Sequence, residues 1–161
     1  MGFSEFQNIK GHYKIYLYPK GEDYKDYLMV DKDNLIVTVG KNLVKNLVSG
    51  QDTSFLRSFA LGTSIVPPTL NDTGLGNVVE YDTGVYYKAF EEYTNDSATS
   101  ITYVGYLSSL QPLTQPVDIS EIGLFTGLGA TKDIMFCRAT FAPITKNQSL
   151  EMRIEYTLNF I

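Results

Sequence analysis

The clearest pattern in the chain is an alternation of apolar and polar residues close to its C-terminal end. Every second residue between positions 150 and 160 is apolar, namely Leu150, Met152, Ile154, Tyr156, Leu158 and Phe160. Successive side chains of a β-strand point to opposite faces of its sheet. The alternation therefore predicts a strand with one buried face and one polar face.

Shorter stretches of apolar, β-branched and aromatic residues predict the other strands. They cover residues 12–18, 27–30, 35–39, 55–61, 85–93, 100–107, 118–125 and 133–142. Clusters of Gly, Pro, Asn, Asp and Ser predict turns between strands, at residues 31–34, 95–97, 126–129 and 143–147. The turn at 95–97 makes residues 85–107 a predicted hairpin.

A different spacing predicts one helix, at residues 41–48. Its apolar residues recur at the spacing of a single helical face: Leu43, Val44, Leu47 and Val48. Gly40 precedes the helix, and Ser49 with Gly50 is a typical helix end.

Many short strands with one helix and regular turns are typical of an antiparallel β-sandwich. The predicted fold is therefore mainly β, a sandwich with one short helix at about residues 41–48. We expect residues 1–161 to form a single domain, with residues 1–11 as a candidate N-terminal extension. Residues 63–84 lack periodicity and are rich in Pro, Gly, Asn and Asp, so they are predicted to form a long loop. Such loops are usually functional or mobile.

The composition agrees with a sheet-rich protein and argues against nucleic acid and membranes as its partners. The chain is 43% apolar and contains 12 Tyr and 9 Phe but no Trp, and Tyr and Phe are enriched in strands. The net charge is −5 and Lys and Arg form no basic cluster, so no nucleic-acid partner is expected. There is one cysteine, no signal peptide and no apolar run of about 20 residues. We therefore expect folding in a reducing cytoplasm, without membrane contact.

Two Asp-Thr-Gly triplets, at 72–74 and 82–84, form the one motif that points to catalysis. Aspartic proteases carry a pair of carboxylates that share a proton. The triplets here lie too close together for two protease lobes, and Pro67-Pro68 stands where a leading strand is needed. Turn formation explains both, because Asp side chains bind nearby backbone amides and Gly accepts positive φ. An aspartic-type hydrolase is therefore the weakest hypothesis.

The other candidate sites also have simpler interpretations. Residues 127–132 lack the Gly-Lys pair of a phosphate-binding loop, and residues 31–42 lack the Gly and Glu of a calcium loop. Weak divalent-cation binding at residues 31–34 or at Glu91-Glu92 stays open. His12 is the single histidine, and Cys137 is predicted to be a buried structural residue. We predict no catalytic residue, no metal ligand and no cofactor.

Tyrosines cluster in the predicted hairpin, at positions 86, 87, 93, 103 and 106. Adjacent residues of a strand point to opposite sides, so some of these rings are expected on the surface. Exposed tyrosines are enriched at protein interfaces and stack on sugars; the alternative is that they only cover the sheet. With the long loop they give the predicted interface residues Pro67, Pro68, Asp72, Leu75, Tyr86, Tyr87 and Tyr106.

Three stretches in a fixed order carry a resemblance to a known family. The first is Asn34-Leu35-Ile36-Val37, which leads through Gly40 into the predicted helix. The second is Ala60-Leu61-Gly62-Thr63, followed by Pro67-Pro68 and Asp72-Thr73-Gly74-Leu75. The third is Ile119-Ser120-Glu121-Ile122-Gly123-Leu124-Phe125, followed by Met135-Phe136-Cys137-Arg138-Ala139-Thr140-Phe141 and Pro143-Ile144-Thr145-Lys146. Over residues 34–161 this order resembles small virion proteins of tailed bacteriophages, in the tail-fibre, tail-collar and baseplate group.

The resemblance implies a non-enzymatic structural component of a tailed-phage virion, in the tail, the baseplate or the fibre attachment. Its implied partners are other virion proteins and copies of itself, and its implied location is the virion, assembled in the bacterial host cytoplasm. It carries over no catalytic residues. Ser64 stands where the family more often has Gly.

Two physical expectations follow for the matched strands. Gly123 within a strand indicates a bulge or a close backbone approach. Glu121 and Arg138 are expected to pair across strands, at under ~1 kcal/mol if the pair is exposed. The alternative function is a carbohydrate-binding module that recognises a host receptor glycan through exposed tyrosines.

Overall fold

The structure, a computed structural model, describes residues 9–127 and 133–161 of the chain. Its elements, in chain order, are β1 (Ile9–Pro19), β2 (Leu28–Asp33), β3 (Leu35–Ile36), α1 (Thr38–Val48), β4 (Ser58–Gly62), β5 (Lys88–Ala89), β6 (Glu92–Ser97), β7 (Ser100–Leu107), β8 (Val117–Phe125), β9 (Met135–Lys146) and β10 (Leu150–Phe160). A short 3-10 helix, Tyr24–Asp26, lies between β1 and β2.

The strands form two antiparallel sheets that share one hydrophobic core. The first sheet has the order β2-β1-β10-β7-β6, and the second has the order β3-β9-β8-β4-β5. The predicted fold class, an antiparallel β-sandwich with one short helix, is confirmed. Among the helices of residues 9–127 and 133–161, none is long and apolar enough to span a membrane.

Strand β10 lies at the centre of the first sheet, and its apolar face forms the middle of the core. Met152, Ile154 and Tyr156 are fully buried. The strand pairs with β1 on one side and with β7 on the other. Along most of β10, buried apolar residues alternate with partly buried polar ones, as the sequence alternation predicts.

One contact between the two sheets depends on a glycine. Phe59 of β4 is fully buried, and its ring packs against Tyr81 and Phe90 at centroid distances of 6.1 and 5.3 Å. Gly105 of β7 lies directly against the same ring, because a Cβ added there would overlap Phe59 side-chain atoms. The absent side chain of Gly105 therefore provides the space that Phe59 fills.

Helix α1 begins earlier than its sequence predicts. Thr38 is its first residue, and β3 ends at Ile36, so the predicted strand 35–39 is wrong beyond that point. Gly40 lies inside the first turn, where the helix backbone rests directly on β9. This close contact requires a glycine, because a Cβ at position 40 would overlap the Phe136 carbonyl group. The predicted end is confirmed, since Gly50 has φ +71° and donates to the Leu47 carbonyl at 3.3 Å.

Two predicted turns are strands in the structure. Residues 31–33 continue β2, because the edge position of this strand leaves its polar side chains in solvent and lets Asp31 and Asp33 pair with β1. Residues 143–146 continue β9, although Pro143 lacks an amide hydrogen. The register between β8 and β9 shifts between Ile119 and Glu121, and Pro143 lies opposite this irregularity, where an amide hydrogen is not required.

The predicted hairpin 85–107 is divided between the two sheets. Residues 88–89 form β5 at the edge of the second sheet, whereas residues 92–97 form β6 of the first sheet. The turn between β6 and β7 lies at residues 98–99, not at 95–97. Of the candidate N-terminal extension, residues 9–11 belong to β1 and residues 1–8 lie outside the described residues. Residues 128–132, which hold half of the predicted turn 126–129 and most of the glycine-rich segment 127–132, also lie outside them.

Candidate protein interface

The long loop, residues 63–84, covers part of the outer face of the second sheet. Leu75 and Val78 pack there on a small buried cluster of Val37, Ala60, Phe125 and Met135. Gly123 makes room for this contact, since a Cβ added to it would lie 3.0 Å from Leu75 Cδ2. The predicted close approach at Gly123 is confirmed, and Leu75 is a contact residue within the chain.

A buried ion pair holds the loop on the sheet. Arg138 of β9 donates from Nε and Nη2 to Oε2 of Glu121 on β8, at 3.0 and 2.8 Å. Glu121 is fully buried and Arg138 is buried except for 3% of its surface. The predicted pairing is therefore confirmed, but the weak stabilisation expected of an exposed pair does not apply, because neither charge is open to solvent.

Both ions also bind the loop directly. Glu121 accepts hydrogen bonds from the backbone amides of Ser64, Gly76 and Asn77, at 3.3, 3.0 and 2.8 Å. Arg138 donates from Nη2 to the Val66 carbonyl at 3.1 Å and from Nη1 to Asp72 Oδ2 at 2.9 Å. The pair thus fixes the beginning, the middle and the end of one loop segment, residues 64–77.

Asp72 is the loop's own anchor. It accepts from the amide and the hydroxyl of Thr69, both at 2.9 Å, and from Arg138. Desolvation acts to raise its pKa, but these three donors together lower the pKa of Asp72 below its ordinary value. Asp72, which the sequence places at an interface, is therefore held as a carboxylate by contacts within the chain.

The side chains above this anchored backbone are apolar and open to solvent. Ile65 is 70% exposed and Val66 is 63% exposed, and Pro67 and Leu70 are also exposed. We call these four residues the apolar ridge. Its backbone is held by Arg138 at Val66 and by the Thr38 amide, which donates to the Leu70 carbonyl at 2.9 Å. Pro68 lies between them, half-buried.

The tyrosines predicted as one surface lie in different places. Tyr86 is exposed, and Tyr87 packs edge-on against Phe125 at 4.6 Å between ring centroids, on the second sheet. Tyr106 belongs to the first sheet, where its hydroxyl donates to Glu92 at 2.9 Å and accepts from Arg153 at 2.6 Å. Sugar binding by a shared tyrosine surface stays a prediction, and these positions do not favour it.

Sequence reasoning missed an aromatic cluster on the outer face of the first sheet. The Arg153 guanidinium lies 4.2 Å above the Tyr24 ring and 5.4 Å from the Tyr106 ring. Tyr16 packs edge-on against Tyr24 at 4.9 Å. The alternation of β1 could have indicated this cluster, because it places Tyr16 on the face opposite to Ile15. On that face Tyr16 pairs with Arg153 across the strands.

The Asp-Thr-Gly triplets form two separate turns, as predicted. Asp72 closes a turn that begins at Thr69, and Asp82 closes another with Val85. Gly84 has the expected positive φ of +74°, whereas Gly74 does not. The two carboxylates have different partners, since Asp72 binds Arg138 and Asp82 is exposed at its turn.

Cys137 and His12, the other chemically distinctive residues, have well-defined surroundings. Cys137 is buried as predicted, 3.2 Å from the Tyr13 hydroxyl, and burial raises the pKa of its thiol to about 11. His12 has two acidic neighbours that its sequence position does not reveal: Nδ1 lies 2.6 Å from Asp33 Oδ1, and Nε2 contacts Asp31. In the described part of the chain, no group of three or more His, Cys, Asp or Glu residues is placed to hold a metal ion.

His12 gives the protein a predicted pH dependence of stability. Desolvation lowers its pKa, but the hydrogen bonds that its ring donates to Asp33 and Asp31 outweigh this effect and raise the pKa above 6.5. Stabilisation by this group is therefore complete below the unfolded-state pKa and is lost as pH rises through the higher folded-state pKa. We expect urea denaturation to give a lower free energy of unfolding at pH 7.5 than at pH 5.5, by under ~1 kcal/mol because the group is partly exposed. The difference between the wild type and His12→Gln should be smaller at the higher pH, and a constant difference would contradict the prediction.

Comparison with known proteins finds no matching family model, no matching curated protein and no matching solved structure.

Proposed function

We propose that this protein is a structural, non-enzymatic component of a tailed-phage virion, in the tail, the baseplate or the fibre attachment. It works by packing against other virion proteins and against copies of itself. The observation that carries the proposal is the apolar ridge, in which Ile65, Val66, Pro67 and Leu70 present apolar side chains on a backbone fixed from below.

Such a ridge is suited to protein contact for two physical reasons. Removing apolar surface from water contributes roughly 25 cal/mol per Å² to association, and adjacent exposed apolar residues often mark an interaction site. Ordering a mobile loop opposes binding, and a loop that is already fixed avoids much of this penalty. The bonds from Arg138 and Thr38 provide this order before any partner is present.

The segments that carry the family resemblance support the ridge from beneath. Glu121 lies in the segment 119–125, and Arg138 lies in the segment 135–141. Glu121 accepts from the backbone amides of Gly76 and Asn77, and Arg138 donates to the Asp72 carboxylate and to the Val66 carbonyl. The second and third matched stretches are thus in direct contact, which is the reason we extend the resemblance to function.

If the proposal holds, polar side chains on the ridge should weaken assembly without unfolding the protein. We expect Ile65→Ser/Val66→Ser/Leu70→Ser to weaken self-association at least 10-fold in sedimentation velocity experiments, and to be depleted from purified particles when measured by mass spectrometry. Met29→Ser/Tyr93→Ser is the matched control, because both residues are exposed but belong to β2 and β6 of the first sheet. Circular dichroism should be the same for all variants. A ridge variant that enters particles as well as the control does would overturn the proposal.

A further inference from the structure

A cavity with aromatic walls lies where the chain crosses from the second sheet to the first. At the crossing, the Phe90 amide donates to the Arg57 carbonyl next to β4 at 3.0 Å, and the Glu91 amide donates to the Val104 carbonyl of β7 at 2.9 Å. The cavity has a volume of about 360 Å³. Its walls include Phe55, Arg57, Phe90, Tyr93, Ile101 and Tyr103.

The cavity is open because the inner face of the first sheet is left uncovered at β6. Tyr103 of β7 faces the core, where its ring centroid lies 5.4 Å from that of Phe90 and 6.4 Å from that of Tyr156. Tyr93 of β6 lies directly opposite Tyr103, and opposite residues of an antiparallel pair share a face. Tyr93 is nevertheless 71% exposed. The face that belongs to the core in β7 is therefore a cavity wall in β6.

The floor of the cavity is fixed before any ligand is present. Phe90, Ile101 and Tyr103 are half-buried and pack against the hydrophobic core. Arg57, in addition to its bond with Phe90, donates from its amide to the Phe125 carbonyl at 3.0 Å. Little order has to be imposed on such a site when a ligand binds, which favours binding.

Arg57 supplies the cavity with one positive charge. Its guanidinium lies 5.3 Å from the centroid of the Phe55 ring, a cation–π contact that holds it beside the cavity. Arg57 is exposed, and within residues 9–127 and 133–161 it forms a salt bridge with no carboxylate. Its guanidinium is therefore open to an anion.

The acidic residues closest in sequence to the cavity wall have other partners. Glu91 pairs with Lys88 at 3.2 Å. Glu92 accepts a hydrogen bond from the Tyr106 hydroxyl at 2.9 Å. Neither carboxylate neutralises the guanidinium of Arg57, so the charge of the cavity is positive.

The walls and the charge together define a class of ligand. Ligand pockets of about 300–1,000 Å³ are mostly apolar and aromatic, and a few polar groups fix the orientation of the ligand. Aromatic rings pack on one another in offset or edge-on contacts, and a guanidinium binds a carboxylate through two parallel hydrogen bonds. A ring that carries one carboxylate satisfies both requirements.

We propose that this cavity binds a small aromatic carboxylate, with the ring of the ligand against Phe90 and Tyr93 and its carboxylate on the guanidinium of Arg57. The site is separate from the apolar ridge, and the inference does not rest on the proposed function.

Fluorescence anisotropy tests the ligand class directly. The chain contains no Trp, so an indole ligand excited where tyrosine does not absorb is the only source of the signal. Indole-3-acetate and its neutral amide, indole-3-acetamide, are each titrated with the protein. We expect saturable binding of the acid with a Kd of the order of 0.1–1 mM, and roughly 5-fold weaker binding of the amide. No saturable binding of the acid, or equal Kd values for the two compounds, would overturn the proposal.

A charge variant tests the role of Arg57. Arg57→Gln is expected to weaken binding of the acid roughly 5-fold and to leave binding of the amide unchanged. Lys88→Gln is the matched control, because it removes a positive charge from the neighbouring β5 at a residue that does not line the cavity. An equal loss in both variants would indicate general attraction of anions and would contradict a carboxylate site at Arg57.

An aromatic variant tests the place of the ring. Tyr93→Ser is expected to weaken binding of both compounds by roughly 3–5-fold. Tyr86→Ser is its control, since Tyr86 is also an exposed tyrosine but does not line the cavity. Circular dichroism should be the same for both variants, and unchanged binding by Tyr93→Ser would place the ligand elsewhere and overturn the proposal.

A tripeptide that ends in Trp distinguishes a free acid from the C-terminus of another protein. The cavity has room for one ring and a short acidic chain, so the tripeptide is expected to bind no more tightly than indole-3-acetate. Tighter binding of the tripeptide would overturn the assignment to a small free acid.

Discussion

Replacing Arg138 with methionine is expected to lower the free energy of unfolding by about 3–5 kcal/mol, the range for breaking a buried pair by removing one partner. Methionine fills similar space but leaves Glu121 without its counter-ion. Glu121 is fully buried and keeps the three backbone amides of Ser64, Gly76 and Asn77 as donors. Chemical denaturation at neutral pH measures the loss.

The second change distinguishes loss of charge balance from loss of packing. In Arg138→Met/Glu121→Gln the remaining side chain is neutral and still accepts hydrogen bonds from the loop, so the double variant should be more stable than Arg138→Met alone. Lys88→Met is the control for an ordinary pair, because Lys88 and Glu91 form a more exposed pair at 3.2 Å, and its effect should stay under ~1 kcal/mol. A loss below that value for Arg138→Met would show that the buried pair does not hold the loop.

Hydrogen exchange locates the same effect in the structure. In Arg138→Met, faster exchange is expected first at the amides of Gly76 and Asn77, which bind Glu121. The amides of β10 should keep their protection, because that strand is held by β1 and β7. Uniform acceleration across the chain would instead indicate global destabilisation.

Replacing Phe59 with alanine is the other change with a large expected effect, about 3–5 kcal/mol for a fully buried phenylalanine. The ring fills the space beside Gly105 and touches Tyr81 and Phe90, so its removal leaves a cavity between the sheets. Gly105→Ala alone should also destabilise, by about 1–3 kcal/mol, because the new methyl group overlaps the Phe59 ring.

Combined, the two substitutions should compensate in part. In Phe59→Ala/Gly105→Ala the added methyl group enters space that the ring has vacated, so the double variant should be more stable than Phe59→Ala. The effect of Gly105→Ala on the free energy of unfolding should thus be destabilising in the wild type and stabilising in Phe59→Ala. A double-mutant cycle detects this reversal. Additive losses would mean that Gly105 has a role other than making room for Phe59.

The sequence predicts this fold where a local pattern and the tertiary contacts agree. The alternation of residues 150–160 gives β10 with its bounds as observed, because the same residues that alternate also face the core. The helix end at Gly50 follows from local conformation, since positive φ is a property of that one residue. The polar strand 31–33 contains turn-forming residues, and only its pairing with β1 makes it a strand.

The candidate interface is less accessible to sequence reasoning, because exposure depends on what the chain places above each residue. The pairing of Glu121 with Arg138 follows from complementary charge on two predicted strands, but its burial depends on the loop that folds over it. The sequence predicts Asp72 and Leu75 at an interface, and in the structure both contact the sheet below. Ile65, Val66 and Leu70 carry no sequence pattern, and only the anchoring of their backbone makes them a surface.

The outer strands of the two sheets restrict how copies of this protein can associate. In the second sheet the outermost strands, β3 and β5, have two residues each, and in the first sheet β2 and β6 carry exposed Asp, Lys and Glu side chains. Short or charged edges disfavour the addition of another strand by backbone hydrogen bonding, which is the route to open-ended fibrils. Contact between copies of the chain is therefore left to side chains on faces and loops.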